Sequence, residues 1–388
     1  MKTIITLVFC FLTVSLTVEA QQTVTGRITD RSDGTPIPGA SVFIAHTTIG
    51  THTDREGNFF ITVPIQGSFQ VAVSHLGFQS ASRTIDSPET SHIVNFALEE
   101  QVTMLPEVVV TPCLPHRRRD ENIFWENLLG ERPSNRGMQV LNPEVIHFCL
   151  LPMGVLRVFA DEPIEIVNHT MGYRISYVLH RFEHDFDTER TRMYGVPFFT
   201  ELTPQNERQR NDWERRRRMA YSVSITHFIR ALYREQLYES GFLVAQVDGL
   251  TPLLPTEADA HRMGLSFSPA ERAVATFSYG NLLQREEDGV QVHIRQPIFV
   301  GFISRPVTRA MFNDPLETFF LRSATFPLIR ILPTSNITIY SDGSYSGLLH
   351  IVEYRNTVVG LRTRVPLEFG MNEENVVQVI NSSLRRGR

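Results

Sequence analysis

An all-β sandwich of about seven strands, followed by a larger α+β body, is the fold class that the sequence predicts. Three observations carry it. Between residues 23 and 99, short alternating apolar runs recur about every ten residues, with turn signals between them. From about residue 120 the pattern turns to longer alternating runs, then helical spacing, then alternation again, an order that suits an α+β domain. The first residues belong to neither part. The ranges are therefore a leader at 1–20, the sandwich at 21–100, a linker at 101–120 and the α+β body at 121–385.

The leader reads "MKTIITLVFCFLTVSLTVEA". Lys2 supplies a positive start, Ile4 to Val18 an apolar stretch, and Val18-Glu19-Ala20 a small-x-small cleavage pattern. This is the composition of a secretory signal cut after Ala20, and it is too short for a comfortable membrane span. Phe9 precedes Cys10 where lipid attachment needs a small residue, so lipidation is not expected. No later stretch is apolar for the ~20 residues a spanning helix needs, so the mature chain is expected to be soluble or peripheral. It keeps Cys113 and Cys149, which either pair in an oxidising compartment or stay reduced.

Within the sandwich, "TVTGRITD" puts Val24, Gly26 and Ile28 on one side. "ASVFIA" sets Val42 and Ile44 against Ser41 and Phe43. "NFFITV" aligns Phe59, Ile61 and Val63, "FQVAVS" aligns Phe69, Val71 and Val73, and "HIVNFAL" closes the series. Pro36-Ile37-Pro38-Gly39 and Asp54-Arg55-Glu56-Gly57 punctuate them. Asp54 can accept from backbone amides of its own turn, and Gly57 can take the left-handed conformation that closes it.

These segments resemble the carboxypeptidase regulatory-like domain. The resemblance rests on Gly26, Asp30, Pro36, Pro38-Gly39-Ala40, Val42, Gly50, Thr53-Asp54, Gly57, Phe59 and Gly77-Phe78, in order and spacing. It implies a transthyretin/Ig-like sandwich with no catalysis of its own. Such modules accompany metallocarboxypeptidases and stand at the N-terminus of outer-membrane glycan-uptake receptors. "MLPEVVVTP", Met104–Pro112, is similar to the segment that follows the module in TonB-dependent receptors. The receptor pattern stops after Thr111, and the remaining chain is too short for the large barrel those receptors carry. Glu107–Thr111 is therefore expected to be a short extended strand or linker, and "PCLPHRRRDEN" continues the linker with a basic patch at Arg117–Arg119.

In the body, "GVLRVFA", "IEIV" and "YRISYVL" alternate, with Tyr173, Ile175, Tyr177 and Leu179 on one side and a turn at His169–Gly172. They predict an antiparallel meander. "NDWERRRRMAY" predicts a helix capped by Asn211 or Asp212. "SITHFIRALYREQLYESGF" predicts a second, with Ile225, Phe228, Ile229 and Leu232 at helical spacing and Gly241 as its C-terminal cap. "VQVHI", "NITIY" and "LLHIVEY" predict returning strands, with a hairpin turn at Ser341–Ser344. The body is also similar to C-terminal domains of unknown function that follow the same sandwich in secreted Gram-negative envelope proteins.

Chemistry is sparsely signalled. The chain carries 37 basic residues, and Lys2 is the one lysine among them, which excludes a phosphate-loop lysine and a lysine Schiff base from the mature chain. A net charge of −5 argues against nucleic acid as partner. No Gly-x-Ser-x-Gly elbow, Gly-x-Gly-x-x-Gly loop or helical His-Glu-x-x-His occurs. His-x-x-Glu occurs at His180–Glu183 and His350–Glu353, but in a strand i and i+3 face opposite sides. Zinc at His180, Glu183 and a later His293 would need a bulge or loop, so no metal and no cofactor is the leading expectation.

Arg215, Arg216, Arg217 and Arg218 spread around all faces of a helix. They either pair with Glu207, Asp212, Glu214 and Glu235 or offer an anion site. Trp213 and Tyr221, eight apart, share one helical face, either as core anchors or as a flat platform for a sugar or partner. The expected function is a non-enzymatic, secreted cell-envelope protein for binding or structure, at the periplasm or outer-membrane periphery. Its partner would be an envelope protein or glycan, with peripheral membrane association. The alternatives are a metal-dependent, peptidase-like hydrolase and an accessory partner of a TonB-dependent glycan-uptake receptor.

Overall fold

The computed structural model describes residues 21–87, 89–101, 113–114, 118–130, 137–246, 253–268, 276–286, 289–302, 309–312, 328–331, 334–346, 351–354 and 365–367. The leader and Met104–Pro112 lie outside them.

The N-terminal unit holds β1 (Gln22–Asp30), β2 (Ser41–Ile44), β3 (Gly50–His52), β4 (Asn58–Val63), β5 (Phe69–Ser74), β6 (Ala81–Ile85), β7 (Ser91–Ile93) and β8 (Phe96–Leu98). One sheet runs β4-β1-β7 with β8 also on β1, and the other runs β3-β2-β5-β6. The predicted inward residues close one core: Val24, Ile28, Val42, Ile44, Phe59, Ile61, Val63, Val71 and Val73 are all buried. Each such side chain contributes roughly 1.5–3 kcal/mol relative to exposure. Asp54 Oδ1 accepts from the amides of Glu56 (3.0 Å) and Asn58 (2.7 Å), and Gly57 has φ +77°, as its turn requires. Phe43 departs from the expected alternation. It is buried together with Ala45 and Ala72, against Val178, Val196 and Phe198 of the body.

The body begins with α1 (Arg118–Leu129), whose first residues fall inside the stretch expected to be linker. Phe124 and Leu128, one turn apart, anchor it in the second core. Then come β9 (Met138–Val140), β10 (Ile146–Leu151), β11 (Val155–Ala160), β12 (Ile164–Asn168), β13 (Tyr173–Asp185) and β14 (Arg190–Glu201). The expected meander is not simple. β13 is 13 residues long; β12 pairs with its first part, β11 with its last, and β14 follows its whole length along the other edge. β11 and β12 therefore share a partner and not each other. A disulfide joins Cys113 to Cys149 on β10, with Cα atoms 5.0 Å apart.

Two helices follow, α2 (Glu207–Ser222) and α3 (Ile225–Tyr233). α2 starts earlier than expected because Asn206, not Asn211 or Asp212, is its cap: its side chain accepts from the Gln209 amide. α3 stops at Tyr233, so Gly241 ends a turn before the next strand and not the helix. The remaining elements are β15 (Phe242–Gln246), α4 (Glu257–Arg262), β16 (Leu283–Glu286), β17 (Gly289–Ile294), β18 (Ile298–Phe302), β19 (Leu328–Ile331), β20 (Thr334–Ile339), β21 (Tyr345–Ser346) and β22 (Ile351–Tyr354). They form two sheets, β15-β18-β19-β22 and β16-β17-β20-β21. The apolar face of α3, with Phe228, Ile229 and Leu232, packs into a third core with them. The hairpin expected at Ser341–Ser344 joins β20 to β21.

Candidate functional site

The arginine helix resolves into one buried and three outer guanidiniums. Trp213, Arg217 and Tyr221 lie four residues apart on α2, so they share its inner face. Arg217 Nε donates to Met171 O (2.7 Å) and Nη2 to Gly172 O (3.0 Å), while its guanidinium lies 3.9 Å from the centre of the Tyr173 ring. Nη1 reaches Glu201 at 3.2 Å. The Trp213 indole donates to His169 O at 2.9 Å and lies flat over Gly172, where a Cβ would come within 2.2 Å of the ring. Arg215 pairs with Asp212 and Arg218 with Glu214 along the helix, and Arg216 is exposed. The platform formed by Trp213 and Tyr221 is corrected here: at 7% and 2% exposure both are core anchors, with no flat face left for a sugar. Arg217 leaves the candidate anion surface for the same reason.

Tyr221 leads into the most connected part of the molecule. Its hydroxyl accepts from Arg230 Nη1 at 2.7 Å. Arg230, 2% exposed, also donates from Nε to Asp342 O (2.8 Å) and from Nη2 to Leu367 O (3.1 Å). It thus clamps α3 to the β20–β21 turn. Gly343 has φ +83°, and a Cβ there would sit 2.9 Å from Arg230 Cγ.

That same turn grips the sandwich. The amides of Gln66, Gly67 and Ser68 donate to Asp342 Oδ2 (2.9 Å), Ser344 Oγ (2.8 Å) and Tyr345 O (3.2 Å). Gly67 is needed because a Cβ would lie 2.8 Å from the Tyr345 backbone nitrogen. A second grip pairs the β2–β3 turn with β14: the His46 amide donates to Pro197 O (2.8 Å) and the Phe199 amide to Thr47 O (2.9 Å). The Phe43 and Phe198 rings meet at 4.9 Å beside it. The sandwich is a fixed part of the body.

The zinc candidates do not converge. The bulge that metal binding would need is present, between Leu179 and Arg181. However, the His180 ring stacks on Tyr194 and its Nε2 meets Ser82 Oγ at 3.3 Å. Both Glu183 oxygens are occupied, Oε1 by Arg157 (3.2 Å) and Oε2 by Arg181 (2.6 Å), and Arg181 ahead of Arg157 holds this carboxyl below its usual range. His293 is on β17 of a different sheet. His350 lies outside the described residues. Among the described residues, no group of three His, Cys, Asp or Glu side chains could hold a metal. The sandwich acids Asp30, Asp33 and Asp54 are likewise spent on holding their own turns.

The clamp was only half legible. Turn chemistry pointed to Ser341–Ser344, but nothing local marks Gln66, Gly67 or Arg230 as its partners, because they lie far apart in sequence.

This geometry defines a β-sandwich module fixed to an α+β body. Residues 24–110 match the family model of the CarboxypepD_reg-like domain, so the chain carries that domain. A TonB-dependent receptor P39 of Formosa agariphila is 32% identical over 117 residues, which is 30% of this chain and 11% of the receptor. The chain thus spans about a tenth of the length of the curated relative it matches. Among solved structures, a group B streptococcus pilus 2b backbone protein is 14% identical at TM-score 0.19, covering 22% of this chain and 43% of that one. A putative membrane-associated protein of unknown function from Bacteroides fragilis is 12% identical at TM-score 0.17, covering 86% and 94%. At such TM-scores these likenesses carry no functional weight. Among the described residues, no helix is long and apolar enough to cross a membrane.

Proposed function

We propose that this is a secreted cell-envelope protein in which the regulatory-like sandwich is a rigid docking module and the α+β body presents the binding surface. The carrying observation is the double grip of the body on the sandwich. One is a backbone ladder from His46 and Thr47 to β14; the other is the Gln66–Ser68 turn on the β20–β21 hairpin. Such a joint transmits position, not chemistry. The engagement of His180, Glu183 and the sandwich acids by protein partners supports a non-catalytic role. The receptor relative and the leader composition support placement at the periplasm or outer-membrane periphery.

The test is fractionation of cells producing the tagged full chain, followed by metal analysis of the purified protein. The expected result is recovery with the envelope and metal far below one equivalent. Recovery in the cytoplasm, or one zinc per chain, overturns it. The receptor likeness also favours a second reading, an accessory partner of a TonB-dependent glycan-uptake receptor. In that case crosslinking in intact cells should trap such a receptor, and its absence from the crosslinked species removes this reading alone.

A further inference from the structure

The body contains a cleft of about 520 Å³ between the end of α3, α4 and the Ser278–Gly280 turn before β16. Three guanidiniums line it, those of Arg234, Arg262 and Arg285. Arg285 Nη2 is oriented by Glu235 Oε1 (2.8 Å) and Tyr233 O (3.1 Å). Arg262 is held by Glu239 and Asp259. Arg234, exposed at the end of α3, pairs with no carboxylate among the described residues. A guanidinium has five donor hydrogens, so each retains unused capacity.

Asp259 supplies the second, independent observation. It is 1% exposed and lines the cleft. Its amide donates to Thr256 Oγ1 (3.1 Å), which caps α4, and its Oδ1 faces Arg262. Oδ2 is buried with no hydrogen-bond partner. A polar atom withdrawn from water without a partner is costly, and a ligand group would relieve that cost. Burial raises the Asp259 pKa above its usual range, against Thr256 and Arg262. A ligand hydroxyl suits either protonation state, since it donates to a carboxylate and accepts from an acid. Arg262 is paired with Glu239 and Asp259 and Arg285 with Glu235, so Arg234 is the guanidinium of this cleft that has no carboxylate partner among the described residues.

We propose that this cleft binds a small hydroxylated oxyanion, a sugar bearing a carboxylate or phosphate. Arg234 and Arg285 hold its anionic oxygens and Asp259 Oδ2 meets one of its hydroxyls. Guanidinium forks match both oxyanions in geometry, and the volume lies in the range of small-ligand sites. Gln236 and Ser278 line the same cleft as neutral partners for further hydroxyls. The inference does not rest on the envelope role, since none of the cleft residues takes part in the grip on the sandwich.

Calorimetric titration of the full chain at low salt with glucuronate, glucose 6-phosphate and glucose tests it. At least one anionic sugar is expected to bind about tenfold or more tightly than glucose, and which one binds separates carboxylate from phosphate. Arg234→Ala, an exposed change, should weaken that binding about tenfold with no shift in melting temperature. Equal binding of glucose, no heat from any of the three, or unchanged affinity in Arg234→Ala overturns the proposal.

Discussion

Arg216 and Arg217 are neighbours of identical type with opposite roles. Arg217 satisfies two buried carbonyls and covers the Tyr173 ring, whereas Arg216 is exposed. Arg217→Ala should cost about 2–4 kcal/mol by stranding those carbonyls, and Arg216→Ala less than about 0.5 kcal/mol. Urea midpoints at unchanged slope would measure both, and equal effects would refute the division. His227 gives a pH dependence. It is buried between the Tyr221 and Phe242 rings with its Nδ1 at 3.0 Å from Ser222 O. Burial, with Arg230 and Arg234 adding repulsion, lowers its pKa from about 6.5 to about 4, against the Ser222 bond. The folded chain therefore holds His227 neutral while the unfolded chain takes up the proton below about 6.5. Stability from this residue is complete above that pH and falls as the pH drops toward 4, by about 3 kcal/mol in all. Melting curves at pH 7.5 and 5 should converge for His227→Gln relative to the wild type; identical pH slopes would count against this.

At the scale of elements, the β20–β21 turn fastens two bodies. Its Asp342 and Ser344 side chains serve the sandwich, and its Asp342 carbonyl serves Arg230 on α3. Gly67→Ala places a Cβ 2.8 and 2.9 Å from backbone atoms of Tyr345, with Ser344 Oγ also at 2.9 Å, so the turn must give way. Hydrogen exchange should then speed up at Gln66–Ser68 while the β1 amides stay protected, because β1 bonds within the sandwich. Faster exchange across β1 would mean that the sandwich has no independent core. The strands of that sandwich were readable as alternation because one face is dry. Phe43 and Ala72 broke the rule because their second face is also covered, by β13 and β14.

For the whole molecule, the Cys113–Cys149 bridge ties the chain after the sandwich to β10 and closes a loop of 36 residues. Such a loop stabilises by roughly 3–4 kcal/mol in the chain-entropy account. Thiol mapping of the denatured protein should find Cys113 and Cys149 unreactive until reduced, and reduction should lower the melting temperature. Two free thiols in material recovered from the envelope would remove the bridge. The sequence left both cysteine states open because two positions 36 apart say nothing of their Cα separation, which is 5.0 Å here.

By itself the sequence determined the sandwich, its turns, the α+β character of the body and the regulatory-like domain. All of these rest on local periodicity, glycine conformation and short-range hydrogen bonds, which neighbouring residues fix. Only the tertiary structure decided that Trp213, Arg217 and Tyr221 face inward, that Glu183 is occupied by arginines, and that Arg234, Asp259 and Arg285 share a cleft. Those outcomes depend on which distant segments meet, and burial at a helix or strand position is set by whatever packs against it.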